Sequence, residues 1–161
     1  MTKRGSECGT VHEGFLAELV LPGIPQSVSV ARHCVARVLR QAGHQNVDDV
    51  VTVISELVTN AVSYTVSGLS GGLVTIEIGQ IGDAIAAVAV IDQGATQAPK
   101  MRKSSPATCS GRGLSIVAAL SARWGVREDA LGGMAVWAEV FTMDVAPPVA
   151  ALGMPVSAVE A

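Results

Sequence analysis

The sequence predicts an α/β fold: a two-layer sandwich in which three main helices cover one side of a mixed, mostly antiparallel sheet. Three observations carry this expectation. Apolar residues recur at helical spacing in three separate runs, each with one broad stripe and a polar remainder. Elsewhere they alternate with other residues, most clearly where Val74, Ile76 and Ile78 interleave with Thr75, Glu77 and Gly79. Glycine-marked turns then join neighbouring strand-like segments into hairpins, which makes their pairing antiparallel.

Taken in order, residues 1–12 read as a flexible leader. Phe15 to Leu21 reads as a strand stopped by Pro22-Gly23. Pro25 and Ser27 open a helix, with Ser27 as the expected N-cap. Its apolar face is Val28, Ala31, Cys34, Val35, Val38 and Leu39, and Gly43 closes it as a C-cap glycine. The second helix runs from about Val47 to Tyr64, with Val50, Val51, Ile54, Leu57, Val58, Ala61 and Val62 as its stripe. Gly68 to Gly72 is a turn-rich connector. Two strands follow on either side of Gly82-Asp83, the second of them (Ala84 to Ile91) nearly all apolar.

Ala95 to Ser110, with Pro99, Lys100, Arg102, Lys103 and Pro106, reads as a long mobile loop, and loops of this length in a compact domain usually serve function. Gly111-Arg112-Gly113 opens a third helix, with Leu114, Val117, Leu120 and Trp124 as its buried face and Gly125 as its end. Val126–Asp129 and Met134–Phe141 form a final hairpin. Residues 13–142 are thus one domain, and 143–161, rich in Pro, Ala and Val, form a poorly ordered tail.

Composition narrows the function classes. A chain of 161 residues suits one domain, and 49% apolar residues supply ample core material. Only 3% are aromatic, so Val, Ala, Leu and Ile must fill the core. The longest purely apolar run, Ala84 to Ile91, falls far short of the ~18 residues of a membrane span, and no signal peptide is visible. Net charge is −3 without a basic block, which speaks against direct binding of nucleic acid. Cys8, Cys34 and Cys109 are odd in number and widely spaced, which fits a reducing cytoplasm rather than a disulfide or zinc framework. His12, His33 and His44 have no ligand spacing and read as surface or boundary residues.

Three polar clusters interrupt this pattern. Glu56 and Asn60 stack one turn apart on the helix face opposite the apolar stripe, where they could hold a proton acceptor and a metal ligand in fixed relation. Read alone, the pair is a solvated polar face. Asp92 ends a buried strand, where its carboxylate can accept from an amino group such as that of adenine. Gly94 beside it would let backbone approach a flat ring. Gly111, Arg112, Gly113 and Leu114 open a helix whose N–H groups and positive end suit phosphate, although no Walker A or dinucleotide fingerprint is present.

In this order the clusters resemble the N, G1 and G2 boxes of the GHKL ATPases, which have the histidine-kinase-like (Bergerat) fold. Within them, Glu56-Leu-Val-Thr-Asn-Ala-Val, Gly111-Arg-Gly-Leu-Ser-Ile-Val, Arg123-Trp-Gly-Val and Gly132-Gly-Met-Ala-Val-Trp-Ala-Glu139 look most like the bacterial anti-sigma-factor serine/threonine kinases of actinobacterial type. The resemblance covers roughly residues 15–141. It implies ATP and Mg²⁺ as cofactors, with Asn60 as the metal ligand and Glu56 as general base toward a protein hydroxyl. It implies Asp92 and Gly94 at adenine, Gly111 and Gly113 at the phosphates, Arg112 against γ-phosphate charge, and Leu114 among the cofactor-binding residues. The partners implied are a sigma factor and an anti-anti-sigma protein of STAS type, and related kinases are often homodimers.

The chain departs from its relatives at four points. Tyr64 stands where many carry histidine, Ala135 where the last strand usually has an adenine-binding threonine, and Cys109 where some have arginine. A further glycine common in the G1 box is missing around Ala95–Gln97. The loss at Ala135 alone would remove one hydrogen bond, ~1 kcal/mol. Two alternatives stay open: a non-catalytic, ATP-binding partner-switching module, and a histidine-kinase-type ATP-binding domain.

Overall fold

The structure is a computed structural model and describes residues 14–94 and 110–143. The expected leader, nearly all of the expected 95–110 loop with Cys109, and the tail beyond Met143 lie outside the described residues. Among the described residues, nine elements follow one another. They are β1 (Gly14–Pro22), α1 (Gln26–Gln41), α2 (Asp48–Tyr64), a single 3₁₀ turn (Val66–Gly68), β2 (Leu73–Ile81), β3 (Ile85–Ile91), α3 (Ser110–Leu120), β4 (Arg123–Glu128) and β5 (Met134–Phe141). The strands form one five-stranded sheet in the order β1-β2-β3-β5-β4. Every neighbouring pair is antiparallel, so the sheet is not mixed.

The middle helix organises the layer above the sheet. Val50, Val53, Ile54, Leu57, Val58 and Ala61 of α2 are buried. This stripe meets α1 on one side, α3 on the other, and the inner faces of β2, β3 and β5 beneath. Val74, Ile76, Ile78, Ala86, Val88, Val90, Ala138 and Val140 supply that inner face, each at every second position of its strand. Burying a Val, Leu or Ile side chain of this kind contributes roughly 1.5–3 kcal/mol, so the aliphatic stripes supply most of the core, with Trp124 packed against it.

Helix ends differ in how far they follow the sequence. Gly43 (φ +98°) closes α1 as a Schellman cap, with Gly43 N–H donating to the Arg40 carbonyl and His44 N–H to the Leu39 carbonyl. Ser27, expected as N-cap, instead sits buried inside the first turn, after Pro25. Its hydroxyl donates to the Pro22 carbonyl at 2.6 Å, tying α1 to the end of β1. The third helix stops at Leu120, and Trp124 and Gly125 belong to β4. A Cβ at Gly125 would lie 2.8–3.0 Å from the Trp137 indole, so this glycine is required by a ring lying over β4, not by a helix end. His44 is buried too: its Nδ1 faces the Thr142 hydroxyl and its Nε2 the Gln80 amide oxygen, pinning the α1–α2 loop to the end of β5.

The connector after α2 is more tightly built than a surface turn. A Cβ at Gly23 would fall 1.6 Å from the Ser67 carbonyl oxygen, and one at Gly68 would fall 1.8 Å from that of Val62. Neither backbone can yield without disturbing β1 or α2. Gly23→Ala is therefore expected to lower stability by about 3 kcal/mol or more, read as a drop in the denaturation midpoint at unchanged slope.

Candidate functional site

The sheet runs out of paired strand at Asp92, and what replaces the pairing defines one side of the site. Ile91 still pairs with Thr75 on one side and Ala135 on the other. One residue on, Asp92 N–H donates to the Met134 carbonyl at 2.9 Å. The Asp92 carboxylate turns back on its own loop. Its Oδ1 accepts from Gly94 N–H at 2.6 Å and from Met134 N–H at 3.3 Å. Gly94 has φ +91°, and a Cβ on Gly133 would lie 1.8 Å from the Asp92 carbonyl oxygen, so both turns need glycine to close on each other. One carboxylate oxygen is thus held by backbone, and Oδ2 makes no hydrogen bond among the described residues.

Glu56 and Asn60 come from α2 and are half-buried, not the solvated face that their spacing alone would suggest. The cause is α3, which crosses them at a glycine. A Cβ on Gly113 would sit 3.0 Å from Glu56 Oε2 and 3.2 Å from Asn60 Nδ2. The first turn of α3, which carries Gly111 and Arg112 in its backbone, therefore starts directly beside the carboxylate and carboxamide. Gly113→Val should force α3 and α2 apart. It is expected to disturb both polar side chains and to cost any nucleotide affinity of the site, while the far sheet edge keeps its hydrogen-exchange protection.

Between these groups lies a cavity of about 200 Å³ lined by Leu57, Asn60, Ala61, Tyr64, Thr65, Val90, Asp92, Leu114 and Val136. Its walls are mostly aliphatic, with a carboxylate at one end and a carboxamide along α2. An apolar slot with a few placed polar groups suits a flat heteroaromatic ring. Among the described residues, no three His, Cys, Asp or Glu side chains gather as a metal site. No helix in the described residues is long and apolar enough to cross a membrane.

The model of the histidine kinase-like ATPase domain matches residues 21–139, most of the chain. The chain belongs to that family. No curated protein sequence matches it. Among solved structures, this histidine kinase-like ATPase domain is similar in fold to the RsbU and RsbW domains of Rv1364c from Mycobacterium tuberculosis. The TM-score is 0.56 at 22% identity, over 77% of this chain and 31% of that one. The match thus spans about a third of that longer chain.

Within this ATPase domain, Asn60, Asp92 and Leu114 meet around one cavity, whereas Glu56 stands one turn away beside Gly113. Gly94 shapes the loop that carries Asp92 rather than lining the slot. The Arg112 side chain lies outside the described residues. Sequence reading missed the apolar walls, Leu57, Ala61, Val90 and Val136, because they look like ordinary core positions. It also misplaced the departure at Ala135. Val136 lines the slot and side chains alternate along a strand, so Ala135 points to the sheet's other face, where it is fully buried. A hydroxyl missing at 135 is therefore not missing from the cavity.

Proposed function

We propose that the chain is an ATP-binding anti-sigma factor of the cytoplasm with serine/threonine kinase activity toward an anti-anti-sigma protein of STAS type. The observation that carries this reading is the convergence of Asn60, Asp92 and Leu114 on one apolar slot, with Glu56 held against Gly113 at the start of α3. Family membership supports a nucleotide in that slot. The resemblance of the sequence blocks around Glu56, Gly111 and Gly132 to anti-sigma-factor kinases supports the partners and the reaction.

The residues fit the group that the family implies. Asp92 Oδ2, with Oδ1 already engaged, is suited to accept from an exocyclic amine, and the aliphatic walls suit the two faces of adenine. Asn60 offers a neutral oxygen of the kind Mg²⁺ takes alongside phosphate oxygens and water. The metal, when bound, offsets phosphate charge. N–H groups at the start of α3, with the helix dipole behind them, suit the phosphate oxygens. Glu56 would take the proton from a serine or threonine hydroxyl as that oxygen bonds to the terminal phosphorus and the bond from phosphorus to the bridging oxygen breaks, with ADP leaving. Such a transfer depends on positioning and charge more than on covalent chemistry by the protein.

The test has two stages. Calorimetry with ADP and ATP, with and without Mg²⁺, is expected to give Mg²⁺-dependent binding. Radiolabelled phosphate should then pass from ATP to a serine or threonine of a STAS protein recovered with the chain in an ATP-dependent pull-down. A chain that binds ATP and its partner but transfers nothing is a partner-switching module without kinase activity. A chain that binds no adenine nucleotide sinks the reading entirely.

A further inference from the structure

We propose that Ser67 is a positioning residue for the Asp92 carboxylate and so sets how strongly the slot holds an amino-bearing base. This rests on the nucleotide reading above and extends it to a residue outside the slot.

Beyond Ile91, β3 loses its regular partner in β2. The Leu73 N–H is met instead by the Gln93 side-chain oxygen at 2.9 Å. The Gln93 N–H in turn is met by the Ser67 hydroxyl oxygen at 3.0 Å, and Val66 N–H donates to the Gly94 carbonyl at 2.8 Å. The turn at 66–68 therefore stands in for the missing strand and grips both residues after Asp92. On the opposite side, Met134 grips Asp92 itself. The carboxylate is held between these two clamps.

Ser67 is tightly enclosed. It is fully buried. Its carbonyl is wedged where a Cβ on Gly23 or Gly72 would come within 1.6 or 2.1 Å. Its N–H donates to the Thr65 hydroxyl at 3.1 Å, and that hydroxyl donates to the Ala61 carbonyl at 2.6 Å, so the last turn of α2 sets the height of Ser67. A hydroxyl so placed transmits the position of α2, where Asn60 lies, to the loop that carries Asp92. The distance between the two polar ends of the slot is fixed this way.

The experiment uses the full chain, calorimetry, and two probes: ADP and the purine riboside diphosphate that has hydrogen in place of the amino group. Ser67→Ala is expected to weaken ADP binding about five- to tenfold, the scale of one hydrogen bond, and to leave the purine analogue unchanged. In an Asp92→Asn background the same change should have no further effect on ADP, because the group it positions is gone. Equal losses for both nucleotides, or full additivity with Asp92→Asn, would mean that Ser67 only supports the fold and would overturn the proposal. Unchanged ADP affinity in Ser67→Ala would overturn it too. If the wild type does not distinguish ADP from the analogue, Asp92 does not read the amine, and the base assignment fails first. Should Ser67→Ala not fold, Ser67→Cys fills the same space with a weaker acceptor and is read by the same criteria.

Discussion

Glu56→Gln is expected to leave adenine-nucleotide affinity nearly unchanged while phosphate transfer falls by roughly 10²–10⁴-fold. Glutamine keeps the size of the side chain, so the close packing of Gly113, where a Cβ would come 3.0 Å from Glu56 Oε2, can persist with an amide in its place. What is lost is basicity. Asn60 and Asp92, which line the slot, are untouched, and Glu56 is not among the slot's lining residues. Radiolabelled transfer to the STAS substrate and calorimetry on the same preparations separate the two quantities. Parallel losses in affinity and transfer would make Glu56 a binding group. An unchanged transfer rate would remove it from the chemistry and leave proton removal to solvent or to the substrate.

Asp92→Asn should weaken ADP and ATP binding by about 1–3 kcal/mol, several-fold to more than a hundredfold, with little change in thermal stability. The structure explains why affinity and stability part company here. The asparagine carbonyl oxygen can keep both bonds that Oδ1 now accepts, from Gly94 and Met134 N–H, so the loop and the hairpin turn stay closed on each other. The amide nitrogen then faces the slot where Oδ2 was, setting donor against the donor of an exocyclic amine. Nucleotide binding of wild-type strength in Asp92→Asn would place the base elsewhere than the Leu57–Val136 slot.

Much of the scaffold around these residues was legible from local pattern. The spacing from Val50 to Ala61 marks α2 because a helix that packs on three sides must keep its apolar residues on one broad stripe. Gly43 marks the end of α1 because a Schellman cap needs a left-handed residue. The bounds of β5, Met134–Phe141, follow from alternation next to a glycine turn. Where local pattern allowed two answers, it misled. Leu114, Val117, Leu120 and Trp124 recur at helical spacing, yet Trp124 reaches the same core from a strand. Ser27 has the chemistry of an N-cap but spends its hydroxyl on the Pro22 carbonyl, an acceptor that exists only once β1 and α1 are adjacent.

The sequence by itself determined the order of elements, the aliphatic stripes and which polar residues could carry chemistry, because each depends on residues within a turn or a strand of one another. Only the tertiary structure decided which of those residues share a site. Asn60, Asp92 and Leu114 come from three separate elements and meet because α2 lies over β3 with α3 beside it. The half-burial of Glu56 follows from the crossing at Gly113, the face taken by Ala135 from the register of β5 against β3, and the grip of Ser67 on Gln93 from a sheet that has run out of partner strand. Each of these joins residues far apart in the chain, so periodicity and spacing carry no trace of it.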